Sequence, residues 1–276
     1  MSQNQPDLFD VRNLSGFYQA LVFLLLTGLF SVLIGFLVMA GASAIPALEP
    51  WAIFASYTLT FGWIFILARK LWKVELLAND SVVWKTYLYI IPLVFILSVP
   101  LEGLVSLIPM PDSIREKFEE MITLNLQGFL TIGIAAPILE ELIFRGVLLK
   151  SLLEKYQPKK AIIWSAIIFG VAHMNPWQFV PAFLIGLLIG WIYWKTQSIW
   201  PGIIIHFINN SFSFAIGYFT QDVNTSFYGL LGGWLPYMIL LIICVILSFL
   251  LIRLLKNHFE HENIRNNNFN KTLITN

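Results

Sequence analysis

Glu140 and Glu141 stand side by side, with Arg145 four residues on, inside a run that is otherwise apolar from Gly128 to Leu153. Two more polar groups interrupt later apolar runs. His173 closes Phe169-Gly170-Val171-Ala172-His173, and His206 and Asn210 bracket His206-Phe207-Ile208-Asn209-Asn210. Ionisable groups within a bilayer are costly, so they mark either a functional site or an ion pair that pins helices together. On a helix, successive residues point about 100° apart, so the two glutamates face different directions. Glu141 and Arg145, spaced i, i+4, share a face and can neutralise each other. Glu140 is left as the carboxylate without a local partner, suited to take a proton from water.

The chemistry these types allow is hydrolysis. Glu140 accepts the proton, His173 orients or polarises the water, and His206 and Asn210 donate to a carbonyl oxygen as it becomes an oxyanion. Glu141 and Arg145 are expected to hold Glu140 in place. No serine, threonine or cysteine is evidently paired with these histidines, so a covalent nucleophile is not indicated. Peptide-bond hydrolysis in or near the membrane is the simplest reading. A zinc ion held by Glu140, His173 and His206 stays open as a ligand set, although the HExxH pattern is absent. His258 and His261 lie in a polar tail and carry no signal.

The elements that must position these groups are membrane spans. Of 276 residues, 58% are hydrophobic and 12% charged, and the mean hydropathy is +0.75. A soluble domain carries about 25% charged residues, so the chain reads as an all-α polytopic membrane protein. The net charge of +1 gives no reason to expect nucleic acid as a partner. The single cysteine, Cys244, excludes an intrachain disulfide framework. Met1 to Gly16 is polar and reads as no cleavable signal, and Thr275-Asn276 forms no prenylation box.

Apolar runs predict about eight spans, near 17–40, 51–68, 86–108, 128–153, 161–173, 177–194, 199–219 and 232–255. The third contains Pro92 and Pro100, which predict a kink. Residues 111–122 read as a short interfacial amphipathic helix with a Ser113–Glu116 capping box. Gly186 and Gly190 predict a close helix–helix approach. The tail from Asn257 reads as disordered. Three units follow: 1–122, with the first three spans and the amphipathic connector; 123–219, with the polar motifs; and 220–276, with the last span and tail.

Arg12, Arg69, Lys70, Lys73, Lys85, Lys150, Lys155, Lys159, Lys160, Lys195, Arg253, Lys256, Arg265 and Lys271 all fall at one face. Only Arg115 and Lys117 fall at the other. The positive-inside rule then puts both termini in the cytoplasm. At 1.5 Å per residue, Glu140 lies roughly 15–20 Å from the basic end of its span, His206 and Asn210 roughly 10–17 Å, and His173 roughly 18–20 Å. Three helices thus bring their polar groups to a similar depth, as one shared site demands. That depth favours substrates entering from the cytoplasmic side or laterally from lipid.

Taken in order on successive spans, Glu140-Glu141-xxx-Arg145, Phe169-xxx-His173 and His206-xxx-Asn210 resemble the CPBP family. These are the CAAX proteases and bacteriocin-processing enzymes, also called the Abi family, and they include the type II CAAX prenyl endopeptidases. The resemblance covers about 123–219. It implies an integral-membrane endopeptidase of a bacterial inner membrane with an eight-helix core. The first glutamate and first histidine, here Glu140 and His173, are taken in that family to activate water. The later pair, here His206 and Asn210, is assigned to the substrate carbonyl. The family has been classed both as metal-dependent and as a metal-free glutamate protease. The partners implied are the lipid bilayer and a peptide or protein substrate, prenylated or otherwise membrane-associated.

Two other classes compete with a protease. One is a noncatalytic immunity or scaffold protein that keeps the polar cluster for structure. The other is a proton or metal transporter, disfavoured by the lack of a clear internal repeat. Glu102, near the end of the third span, reads as an interface residue beside Arg115 or Lys117 rather than as part of the site.

Overall fold

A computed structural model describes residues 16–72, 82–223 and 225–274 of the chain. Arg12, Lys73 and Thr275-Asn276, used in the sequence reading, lie outside them. The described residues form helices and no strand. α1 spans Gly16–Ala44, and a 3₁₀ segment Pro46–Trp51 leads into α2, Ala52–Trp72. α3 is Lys85–Ser106 and runs unbroken through Pro92 and Pro100. α4, Asp112–Met121, is the amphipathic helix. α5 is a continuous helical run over 126–155, α6 is Pro158–Val171, α7 is Pro176–Thr196 and α8 is Trp200–Thr220. A single turn, Phe227–Leu230, precedes α9, Trp234–Ile274.

The chain is an all-α polytopic membrane protein. Six helices of the described residues are long and apolar enough to cross a bilayer: α1 to α3 and α7 to α9. The other two expected spans are built differently. α6 has only 14 residues, and α5 is interrupted by two π segments, Leu130–Ala135 and Phe144–Leu149.

α5 is the centre of the packing. Ile143, Phe144, Val147, Leu148, Leu149 and Leu152 are all nearly inaccessible and pack on Ile64 and Ala68 of α2, Ala161, Ile162 and Phe169 of α6, and Ile203 of α8. A helix buried on every side is apolar all round. A second cluster joins Ile90 and Val94 of α3 to Ile189 and Ile192 of α7 and Leu255 of α9. Between helices in lipid, such contacts stabilise through close packing rather than removal from water. Gly186 and Gly190 show it: a Cβ on either would stand 3.3 Å from Ala166 or 3.1 Å from Ile162. The small-residue spacing therefore seats α7 directly against α6. Large apolar side chains outside these clusters, such as Val32 and Phe36 of α1 and Phe249 of α9, face outward.

Two local expectations differ from the structure. The cap of α4 is Pro111, with no side-chain hydrogen bond, so Ser113 and Glu116 do not form a capping box. The helix starts at Asp112, so Ser113 already lies inside its first turn and is not its cap. The last helix does not stop near Leu255 but continues through the polar tail to Ile274. Its first added turns are held by packing: Phe259 is buried against Trp191, and His258 Nε2 lies 3.1 Å from Thr86 Oγ1.

Candidate active site

The first π segment of α5 has a legible cause. Ala136 N–H bonds to Thr131 O, five residues back. In that register the next donor would be residue 137, which is proline and has no N–H. The Ile132 carbonyl is thereby left open, and Asn210 Nδ2 donates to it at 3.0 Å. Asn209 Nδ2 donates in turn to Asn210 Oδ1, at 3.2 Å. Asn210 thus ties α8 to the distorted turn of α5 and still lines the cavity described below.

Immediately after this turn come the two carboxylates, and they point to different surroundings. Glu141 is fully buried and takes Arg145 Nη1 at 2.7 Å. Arg145, also fully buried, donates through Nη2 to Gly186 O at 3.3 Å and lays its guanidinium over Phe169, 4.6 Å from the ring centroid. His206 Nδ1 lies 3.1 Å from the same Glu141 oxygen. A carboxylate only accepts, so the proton of that bond sits on Nδ1. Gly202 makes the approach possible, since a Cβ there would stand 2.9 Å from Glu141 Oε2. The direct partner of the Glu141–Arg145 pair is therefore His206. The sequence reading had the pair holding Glu140.

Glu140 is held from α2 instead. The Tyr57 hydroxyl donates to Glu140 Oε1. Glu140 Oε2 is buried with no hydrogen-bond partner among the described residues, and His206 Nε2 faces it at 3.9 Å. That gap is too long for a direct hydrogen bond and of a size that a bridging water fills.

His173 lies past the end of α6. Its Nδ1 donates to Phe169 O at 2.8 Å, which leaves Nε2 as the ring nitrogen available to a ligand. Asn175 Nδ2 holds the His173 carbonyl at 2.8 Å, and Met174 between them takes a left-handed φ of 56°. That conformation ends α6 abruptly and lets Asn175 cap α7, its Oδ1 accepting from Gln178 N at 2.8 Å. Phe169 sits among the site residues, its ring edge-on to His173 at 5.2 Å and to His206 at 5.7 Å.

Glu140, His173, His206 and Asn210 line one cavity of about 480 Å³. A neighbouring cavity of about 450 Å³ shares Glu140, His173, Asn210 and Gln178 with it and extends past Tyr57 and Phe118. Glu141 and Arg145 line neither cavity.

The larger cavity occupies one half of the bundle. It uses the last turns of α3 (Ser98 to Val105), the first turns of α7 (Trp177 to Ile185) and α8 from His206 to Gly217. It therefore reaches toward the bundle end away from Lys85, Lys150 and Lys195, with Glu140 and His206 at its floor. Depth along one span could not reveal which half of the bundle is hollow. α4 closes over this end. Its Phe118 packs edge-on to Trp177 at 6.5 Å, and Trp177 Nε1 donates to Ile108 O at 3.2 Å.

Glu140, His173 and His206 do not converge as metal ligands: among the described residues no three His, Cys, Asp or Glu side chains could hold a metal ion. Sequence reasoning missed Tyr57, whose partner is 83 positions away and which reads as one more aromatic in an apolar span. It also misplaced Glu102, which lines the larger cavity.

Comparison with known proteins agrees with the motifs. Residues 122–212 match the family described as type II CAAX prenyl endopeptidase Rce1-like. The chain is 34% identical over 80 residues to the "Putative membrane peptidase YdiL" of Bacillus subtilis (strain 168), covering 29% of this chain and 33% of that protein. It is 30% identical over 82 residues to the "UPF0177 protein YxdF" of Lactococcus lactis subsp. lactis (strain IL1403), covering 29% and 45%. The chain thus spans between a third and a half of the length of these curated relatives. No solved structure matches it. All six candidate site residues, Glu140, Glu141, Arg145, His173, His206 and Asn210, lie inside the segment 122–212 that matches this family.

Proposed function

We propose that the chain is an intramembrane endopeptidase that hydrolyses peptide bonds with water activated by Glu140. The observation that carries this reading is the buried, unpartnered Oε2 of Glu140 facing His206 Nε2 across 3.9 Å, at the floor of a cavity also lined by His173 and Asn210. Water bound in that gap gives its proton to Glu140 while its oxygen attacks the substrate carbonyl carbon. His173 Nε2 orients this water. With its Nδ1 turned to Glu141, His206 presents Nε2 toward the substrate, and an N–H there is a donor. That donor and the second N–H of Asn210 stabilise the oxyanion. Glu140 then passes its proton to the leaving nitrogen, the C–N bond breaks, and a carboxylic acid and an amine remain, which exchange one proton to leave as carboxylate and ammonium.

The basic residues at one end of the bundle support an orientation with both termini in the cytoplasm. With that orientation the larger cavity reaches toward the opposite side of the membrane. Comparing membrane-protein fragments from cells carrying wild type or Glu140→Ala at equal abundance tests the reading. New peptide termini that vanish in the variant are expected. Identical termini, with candidate prenylated and leader peptides also supplied and uncut, would sink it.

A further inference from the structure

Glu102 is the carboxylate in the cavity that the hydrolytic chemistry leaves unused. It lies near the end of α3 and lines the same 480 Å³ space as Glu140. The Tyr237 hydroxyl of α9 donates to Glu102 Oε2 at 3.5 Å. The neighbouring residue makes room for this contact, because a Cβ on Gly103 would collide with that hydroxyl. Tyr237 is itself almost wholly buried, packed with Val99 and Cys244, so it is a fixed post rather than a mobile ring. The carboxylate is thus braced at the cavity wall.

What faces it is equally informative. The described residues lining the two joined cavities include Glu102 and Glu140 but no lysine or arginine. Arg115 and Lys117, the cations of α4, line neither cavity, although Phe118 and Ile122 beside them do. A carboxylate at an otherwise largely apolar wall gains most from a cation brought by whatever binds there.

We propose that Glu102 is a specificity-determining residue that receives a basic side chain of the peptide substrate. The preferred substrate then carries lysine or arginine at a fixed distance from the scissile bond. This rests on the endopeptidase reading above and names its substrate class.

The full-length protein in detergent micelles is given a positional set of decapeptides in which lysine, glutamine or glutamate occupies each site in turn. Products are followed by mass spectrometry. At one position relative to the cut, lysine should raise kcat/KM over glutamine about tenfold. Glu102→Gln should bring the lysine peptide down to the glutamine peptide, Glu102→Asp should keep part of the preference, and Glu102→Lys should favour glutamate. Melting curves on each variant separate recognition from folding. Equal rates for lysine and glutamine at every position, or a preference that survives Glu102→Gln, would overturn the proposal.

A binding arm separates this proposal from the protease reading. Fluorescence anisotropy of the dye-labelled peptides on Glu140→Gln protein should show the same lysine preference, lost when Glu102→Gln is added. If no peptide is cut by wild type, the protease reading falls, while the anisotropy still decides for or against Glu102.

Discussion

The two faces of α5 at 140–145 carry the same kind of side chain in opposite circumstances. On one, Glu141 has Arg145, His206 and a glycine backbone packed around it and is shut off from both cavities. On the other, Glu140 has one oxygen fixed by Tyr57 and the other buried without a hydrogen-bond partner, and the residue lines both cavities. A single residue step of about 100° separates them. In the proposed function, adjacent carboxylates divide labour: the one enclosed by a cation aligns the histidine, and the one that lines the cavities takes the proton of water. The cost of burying Glu141 is offset by its cation and hydrogen bond. Each glutamate keeps one buried oxygen without a hydrogen-bond partner, but only Glu140 lines the cavities, where substrate or water can complete it.

If the sealed face is structural, damage to it should appear in the fold first. Arg145→Ala leaves Glu141 buried without its cation and should destabilise the protein by about 3–5 kcal/mol, seen as a large fall in melting temperature in detergent. An Arg145→Ala protein that melts like wild type would dissolve the contrast between the faces. Asn210→Ala orphans the Ile132 carbonyl at the π turn and should cost about 1–3 kcal/mol, together with loss of cleavage through the missing oxyanion donor. Retained cleavage with lowered stability would reduce Asn210 to its structural bond. Tyr57→Phe keeps the stack on Phe61, with centroids 4.4 Å apart, and removes only the hydroxyl on Glu140. It should lower kcat about tenfold with little change in melting temperature. An unchanged kcat would mean that Glu140 is aligned without Tyr57.

Much of this arrangement was legible in the chain because local spacing decides it. The i, i+4 pair Glu141–Arg145 and the i, i+4 bond from the His173 ring to the Phe169 carbonyl both follow from helical geometry. Apolar runs located the helices to within a few residues in most cases, and six of the described helices are long and apolar enough to cross a bilayer. What could not be read is what tertiary packing chooses. α1 and α5 are both apolar, yet the most hydropathic window of α1 is 0% buried while Phe144–Leu149 of α5 is buried throughout. Hydropathy does not distinguish lipid from protein as the apolar neighbour. Tyr57 and Glu102 reach the site across the fold, from helices whose sequence carries no partner for them. The π turn had a local sign in Pro137, but its consequence, the carbonyl that Asn210 fills, needed α8 in place.

The division between the two carboxylates is tested most directly by making Glu140→Gln and Glu141→Gln and measuring, for each, the melting temperature and the yield of cleaved product. Glu140→Gln should melt close to wild type and lose product by about 10²- to 10⁴-fold. Glu141→Gln should melt well below wild type, because Arg145 is then buried without its carboxylate. Normal cleavage by Glu140→Gln, or equal destabilisation by both changes, would contradict the account.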